Sequence, residues 1–331
     1  MTAPGARASG EDDLIARYFR PLATDPGAFG LIDDAALLKQ SGDDLVVTTD
    51  AIVEGVHFLP DDPPDMIARK ALRVNLSDLA AKGATPVGFV LTLALHEARD
   101  EWLAPFARAL GEDAAAFGCP VLGGDTVSTP GPLMISITAF GRVPPGTMVR
   151  RDGAKVGDRI AVTGTIGDAS LGLRVLRNQI AGEGLDAPSR DFLIQRYRVP
   201  EPRSALAVAI RDHASAAMDV SDGLAGDLAK LCAASRVSAA IEMAAVPLSA
   251  PARALIAKGS ADIEAAVSGG DDYEVVCAIP ENRWESFVAA AGGANVQISR
   301  IGKVVAGGIA PQFLDAAGKP VTLKRLSYSH F

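Results

Sequence analysis

Apolar positions along the chain fall into short clusters of two kinds. Residues 45–49, 87–95 and 133–142 concentrate β-branched and apolar side chains and predict strands. Over 66–82, Ile67, Ala71 and Val74 step by four and three along one helix face, and 101–117 reads as a second helix. The pattern breaks over 143–158, where Pro144, Pro145 and Gly146 follow an apolar strand and a turn at 153–158 precedes the next one. Beyond it, 159–163, 273–279 and 296–301 predict strands, and 204–212, 224–234 and 281–291 predict helices. Each half mixes both element types, so the expected class is α+β, built as two α/β domains over 1–150 and 151–331. No repeat of fixed period is visible, but Gly-Gly-Asp occurs once in each half, at Gly123-Gly124-Asp125 and Gly269-Gly270-Asp271, which hints at related halves.

A chain of 331 residues is long enough for two cores. Its 32 Lys and Arg against 40 Asp and Glu give a formal charge of −8, which argues against a nucleic-acid or anionic-membrane partner, because such surfaces need clustered cations. Cys119, Cys232 and Cys277 lie far apart and form no C-x-x-C pair, which argues against a disulfide scaffold or thiolate zinc site and fits a reducing cytosol. The start has no apolar leader before Glu11, Asp12 and Asp13, and the most apolar stretch, 87–95, is too short to span a membrane. The expectation is a soluble cytoplasmic protein.

The chemistry is carried by aspartates in apolar contexts. Asp50 ends the run Val46-Val47-Thr48-Thr49, Asp125 follows Val121-Leu122-Gly123-Gly124, and Asp219 follows Ala216-Ala217-Met218, so these carboxylates are expected at the ends of core strands. Asp78 continues the Ile67, Ala71, Val74 stripe, where a carboxylate needs a partner. Asp33 with Asp34, Asp219 with Asp222 around Ser221, and Asp271 with Asp272 add further pairs, and few lysines or arginines lie nearby in the sequence to neutralise them. Divalent cations gather carboxylates, and oxygen ligands select magnesium, calcium or manganese over zinc. Magnesium shares its coordination with substrate phosphates, so a glycine-flanked aspartate site points to a nucleotide or another phosphorylated molecule. Taken singly, Asp33-Asp34 and Asp222-Gly223 also read as turns, and Asp219 or Ser221 as a helix N-cap; jointly, independent turns explain the set poorly. The chain holds no G-x-x-x-x-G-K-[ST] or G-x-G-x-x-G, and His96-Glu97 lacks the second histidine of a zinc motif. The turn from Gly164 to Ser170 opens a helix, as an anion site or as a tight connection.

In order, these segments resemble the thiamine-monophosphate kinase family, of the superfamily that includes aminoimidazole ribonucleotide synthetase, selenophosphate synthetase and a hydrogenase maturation factor. The resemblance runs from Leu14-Ile15-Ala16-Arg17-Tyr18-Phe19 through Thr48-Thr49-Asp50, Gly55-Val56-His57-Phe58, Val74-Asn75-Leu76-Ser77-Asp78 and Gly123-Gly124-Asp125-Thr126 to Asp219-Val220-Ser221-Asp222-Gly223, Ser268-Gly269-Gly270-Asp271-Asp272-Tyr273-Glu274 and Tyr328-Ser329-His330-Phe331. It implies ATP-dependent phosphorylation of thiamine monophosphate to thiamine diphosphate with several magnesium ions. It assigns Asp34, Thr48, Thr49, Asp50, Asp78, Asp125, Asp219 and Asp222 to metal, some through carbonyl or hydroxyl oxygen, with Asp50, Asp78, Asp125, Asp219 and Asp222 at the catalytic centre. It puts Gly124, Asp125, Arg151 and Ser221 at the ATP, and His57, Asp271 and Tyr328 at the thiamine phosphate. It also implies an N-terminal ATP- and magnesium-binding domain that pairs through its sheet into a homodimer barrel, and a C-terminal α/β sandwich that completes the site. Two positions depart from the family pattern: Ile32 stands where a glycine precedes the aspartate pair, and Asp271 where the family has glutamate.

The acceptor is itself a phosphate, ionised near neutrality because its second pKa is about 6, so direct in-line transfer without a strong base or a phosphoenzyme is expected. The first cysteine is Cys119 and the last residue Phe331, which removes the nucleophiles that selenophosphate synthetase or the hydrogenase factor needs. An aminoimidazole ribonucleotide synthetase-like enzyme and a catalytically silent nucleotide- or metal-binding protein are the alternatives.

Overall fold

The computed structural model describes residues 13–31, 35–39, 42–180, 185–308 and 310–327. They form two compact units: the described residues up to Asn75 with Pro86–Arg142, and Leu76–Thr85 with the described residues from Val143 onward.

The first unit is built on a four-stranded sheet. Its strands β1 (Asp44–Val53), β2 (Thr85–Leu95), β3 (Val121–Ser128) and β4 (Met134–Val143) lie in the order β1-β4-β2-β3. β2 and β3 run parallel, with Thr92 opposite Asp125. Alternation is complete along β4, where Ile135, Ile137 and Ala139 are buried and Ser136 and Thr138 are not, the pattern of a strand with one covered face. The helices are α1 (Pro64–Ala81) and α2 (Asp100–Ala116). α1 opens on Pro64 and Asp65, a proline where no N–H is needed and an acid at the positive helix end. Its stripe Ile67, Ala71 and Val74 is buried, as is Leu103-Phe106-Leu110 of α2. Asp113 of α2, 2% exposed, is neutralised by Arg69 and Arg73 of α1, so a buried charge is paired twice.

The second unit carries a seven-stranded sheet formed by β5 (Arg159–Thr163), β6 (Ala216–Val220), β7 (Ser238–Glu242), β8 (Glu274–Ile279), β9 (Ile298–Val305), β10 (Gln312–Leu314) and β11 (Pro320–Val321). The order is β11-β10-β7-β9-β5-β8-β6, and β5 runs antiparallel to both β8 and β9. Its helices are α3 (Asp168–Leu176), α4 (Ala187–Arg198), α5 (Ala207–His213), α6 (Leu224–Ser235), α7 (Ala250–Ala257), α8 (Ile263–Ser268) and α9 (Trp284–Gly293). One sheet face packs Ile160, Val162, Met218 and Val276 against Leu224, Leu228 and Leu231 of α6. The other packs Ala161, Ala217 and Cys277 against Ile210 of α5 and Phe287 of α9. This two-sided burial makes an α/β sandwich and explains why β5, β6 and β8 read as unbroken apolar runs.

Candidate active site

In the first unit β1 runs on past Asp50 to Val53, and β3 past Asp125 to Ser128, so these aspartates lie inside strands rather than at their ends; Asp219 likewise lies inside β6. The strand period then sorts the β1 residues. Thr48 and Asp50 share the face of buried Val46 and Ile52, whereas Thr49 shares the exposed face of Leu45 and Val47. The Thr49 hydroxyl is engaged there, donating to the Ile137 carbonyl at 3.2 Å and accepting from Thr138 Oγ1 at 3.0 Å. With the hydroxyl so engaged, the carbonyl is the readier oxygen for the metal role the resemblance assigns.

Gly124 answers a packing demand, because a Cβ there would stand 2.0 Å from the Leu91 carbonyl oxygen of the neighbouring parallel strand. Beside it opens a cavity of about 380 Å³ with apolar walls that include Phe19, Leu31, Val90 and Leu122, and with Gly124 and Asp125 at its polar side. The Nδ1 atom of His57 accepts from the Val53 N–H at 3.1 Å, which assigns the ring proton to Nε2. The buried Lys70 ammonium donates to the His57 carbonyl at 2.8 Å and fixes that turn.

In the second unit, β5 and β6 end and β8 begins at one edge of the sheet, which brings three turns together. These are the glycine turn before α3, Ser221-Asp222-Gly223 before α6, and the Gly269–Glu274 loop. Gly223 has φ +114° and caps α6 without a side-chain bond, so neither Asp219 nor Ser221 is its N-cap. The Asp271 N–H donates to the Ser221 carbonyl at 2.8 Å and the Tyr273 N–H to the Val220 carbonyl at 2.9 Å. Asp271 is half-exposed, and Asp272 and Glu274 are fully buried. Asp272 accepts from the Gly167 and Ala169 N–H groups at 2.7 and 3.2 Å. Burial pushes its carboxyl well above the usual range, with those bonds opposing, Asp168 adding to the rise and Arg196 working against it. Glu274 accepts from Thr163 Oγ1 at 2.6 Å, Arg196 at 2.8 Å and Arg203 Nε at 2.6 Å.

The expected shortage of cations is corrected by the fold. Lys82, at the end of α1, donates to the Ala217 carbonyl at 2.7 Å, and its ammonium is acted on by Asp78, Asp219 and Arg151. Burial and the Arg151 charge lower its pKa to about 8, and Asp219 and Asp78 oppose that fall. Lys230 of α6 holds Asp222 at 2.6 Å and Asp227 at 2.8 Å. Lys82 follows Asp78 by one helical turn and Lys230 follows Asp227 by the same, so both were near in sequence; the fold adds the meeting of Lys82 with Asp219, and nothing in the spacing pointed to Arg196 and Arg203 beneath the loop. Asp34, Tyr328 and the Ile32 departure lie outside the described residues.

Comparison with known proteins gives this arrangement a family. The AIR synthase related protein N-terminal domain matches residues 32–143, and the corresponding C-terminal domain matches 155–311. A thiamine-monophosphate kinase of Caulobacter vibrioides is 45% identical over 335 aligned residues, covering 99% of this chain and 93% of that protein. The crystal structure of thiamine-monophosphate kinase from Stenotrophomonas maltophilia superposes with a TM-score of 0.82 at 35% identity, covering 94% of this chain and 96% of that one. AaThiL complexed with AMPPCP and TMP superposes at 0.77 and 32% identity, covering 92% of this chain and 97% of that one. With likeness of this degree running through both halves, the chain belongs to the thiamine-monophosphate kinase family.

Proposed function

We propose that the protein transfers the terminal phosphoryl group of ATP to thiamine monophosphate, giving ADP and thiamine diphosphate. The observation that carries this reading is the near full-length likeness to AaThiL complexed with AMPPCP and TMP. In the first unit the apolar-walled cavity beside Gly124 and Asp125 suits an adenosine moiety, and His57 offers an Nε2 proton to a phosphate oxygen. In the second unit Arg151 and Ser221 are assigned to the nucleotide and Asp271 to the acceptor.

The donor set fits magnesium. Thr48, Asp50, Asp78, Asp125 and Asp219 offer only oxygen, and Thr49 its carbonyl. Asp222 meets Lys230 through Oδ2 and has Oδ1 to offer an ion. Magnesium keeps waters and shares phosphate oxygens, so it needs few protein side chains at any one ion. When bound, magnesium supplies charge neutralisation at the phosphates. An oxygen of thiamine monophosphate forms the new bond to the γ-phosphorus, and the bond to the β,γ-bridging oxygen breaks with its electron pair leaving on ADP. With the acceptor already ionised, the protein's work is alignment and electrostatics.

The exposed side chains on β1 support a homodimer: Leu45 and Val47, 49% and 55% exposed, share one face of that strand. Three buried free cysteines among the described residues support a cytoplasmic setting. Asp50→Asn and Asp78→Asn are expected to lower kcat/KM by about a hundredfold or more while keeping the circular dichroism of the parent. Full activity in either variant removes that residue from the centre.

A further inference from the structure

The Gly269–Glu274 loop is held in a conformation its sequence does not favour. Asp271 and Tyr273 have φ of +72° and +50°, two left-handed non-glycine residues within three positions. Such strain persists only where the surroundings over-determine it. Here they do. Gly269 and Gly270 leave no room for a Cβ, which would stand 2.3 Å from Ser170 Cβ and 2.5 Å from the Ser221 carbonyl oxygen respectively. The Asp272 carboxylate ties down two amides at the start of α3, whose N-cap, Gly167, has no side chain to do so. Glu274 is anchored by Thr163, Arg196 and Arg203, and Thr163 Oγ1 also accepts from the Val275 N–H at 2.8 Å.

We propose that Asp272 and Glu274 are positioning residues: they clamp the loop between the Gly164–Ser170 turn and the Ser221–Gly223 turn, and so fix the direction in which Asp271 meets the thiamine monophosphate molecule. The assignment rests on the phosphotransfer reading for its substrate. The clamp itself rests on hydrogen bonds, all within the second unit. A buried carboxylate is an expensive cap where a serine hydroxyl would serve. A carboxylate, however, accepts two N–H bonds along fixed directions, and that is what orienting a neighbouring residue requires.

The test uses Asp272→Asn and Arg203→Lys in the full chain. Asparagine offers one acceptor and one donor, so one of the two amides loses its partner. Lysine keeps the charge beside Glu274 but not the fork, and Arg196 still neutralises the carboxylate. Both variants are expected to raise KM for thiamine monophosphate, Asp272→Asn by about tenfold or more, with KM for ATP changed by less than about twofold. Hydrogen exchange of apo Asp272→Asn, read by mass spectrometry, is expected to speed up together over 164–170 and 269–273, while β5, β8 and the Ser221–Gly223 turn, which Asp227 and backbone bonds still hold, stay protected. Unchanged exchange over 164–170 and 269–273 overturns the clamp whatever the kinetics show. Equal changes in both KM values, or a fall in active fraction alone, overturns the positioning role and leaves a structural one. If the parent makes no thiamine diphosphate, the phosphotransfer reading fails, and the exchange result alone decides the clamp.

Discussion

Lys82 combines a half-buried ammonium, a backbone carbonyl partner and the opposing influences of Arg151 on one side and Asp78 and Asp219 on the other. Its proton is held to about pH 8, below the ordinary lysine range, because burial disfavours the charged form more than the two carboxylates support it. Asp78→Asn removes one of those supports, so the Lys82 pKa in the metal-free protein is expected to fall further. NMR titration of ¹³C-methylated lysines measures this, and an unchanged or raised value contradicts the placement of Asp78 near that ammonium. The residue types of this site were legible in the sequence, because carboxylates embedded in apolar runs need a reason. Their counter-charges were legible only in part: Lys82 and Lys230 stand one helical turn after Asp78 and Asp227, but Lys82 meets Asp219 only through the fold. Thr49 shows the limit of a motif: the strand period turns its hydroxyl away from Thr48 and Asp50, its neighbours in Thr48-Thr49-Asp50.

Elements were legible where one face is covered and the other is open. The stripe of α1 and the long apolar runs of β2 and β4 marked themselves, and their bounds moved by only a few residues. β7 escaped, and β3 and β6 were read only as the apolar runs leading into Asp125 and Asp219, for different reasons. β3 carries Gly123-Gly124-Asp125, residues of poor strand propensity that are kept because the parallel partner approaches so closely. β6 and β7 are five residues each, and β6 is buried on both faces, so no alternation announces it. Gly124→Ala tests the β3 account. Its Cβ would meet the Leu91 carbonyl oxygen, so the strands must part, and the variant is expected to lose about 1–3 kcal/mol of stability. Urea unfolding measures this, and a midpoint equal to the parent's contradicts the close approach.

For the whole molecule, the pattern break expected at 143–158 lies just beyond the seam after Arg142, but the transfer of Leu76–Thr85 to the second unit was hidden, because α1 is continuous across that seam. The proposed homodimer would cover the exposed Leu45 and Val47 of β1. Val47→Asp is expected to halve the mass seen by analytical ultracentrifugation, and a monomeric parent or an unaffected variant contradicts the pairing. The central claim is phosphoryl transfer between ATP and thiamine monophosphate, and product analysis tests it most directly. Purified protein is incubated with ATP, magnesium and either thiamine monophosphate, thiamine or no acceptor, and the products are separated by chromatography. The account predicts ADP and thiamine diphosphate in equal amounts with thiamine monophosphate alone, abolished by EDTA. ADP release that is independent of the acceptor, or no turnover while ATP still binds, contradicts it.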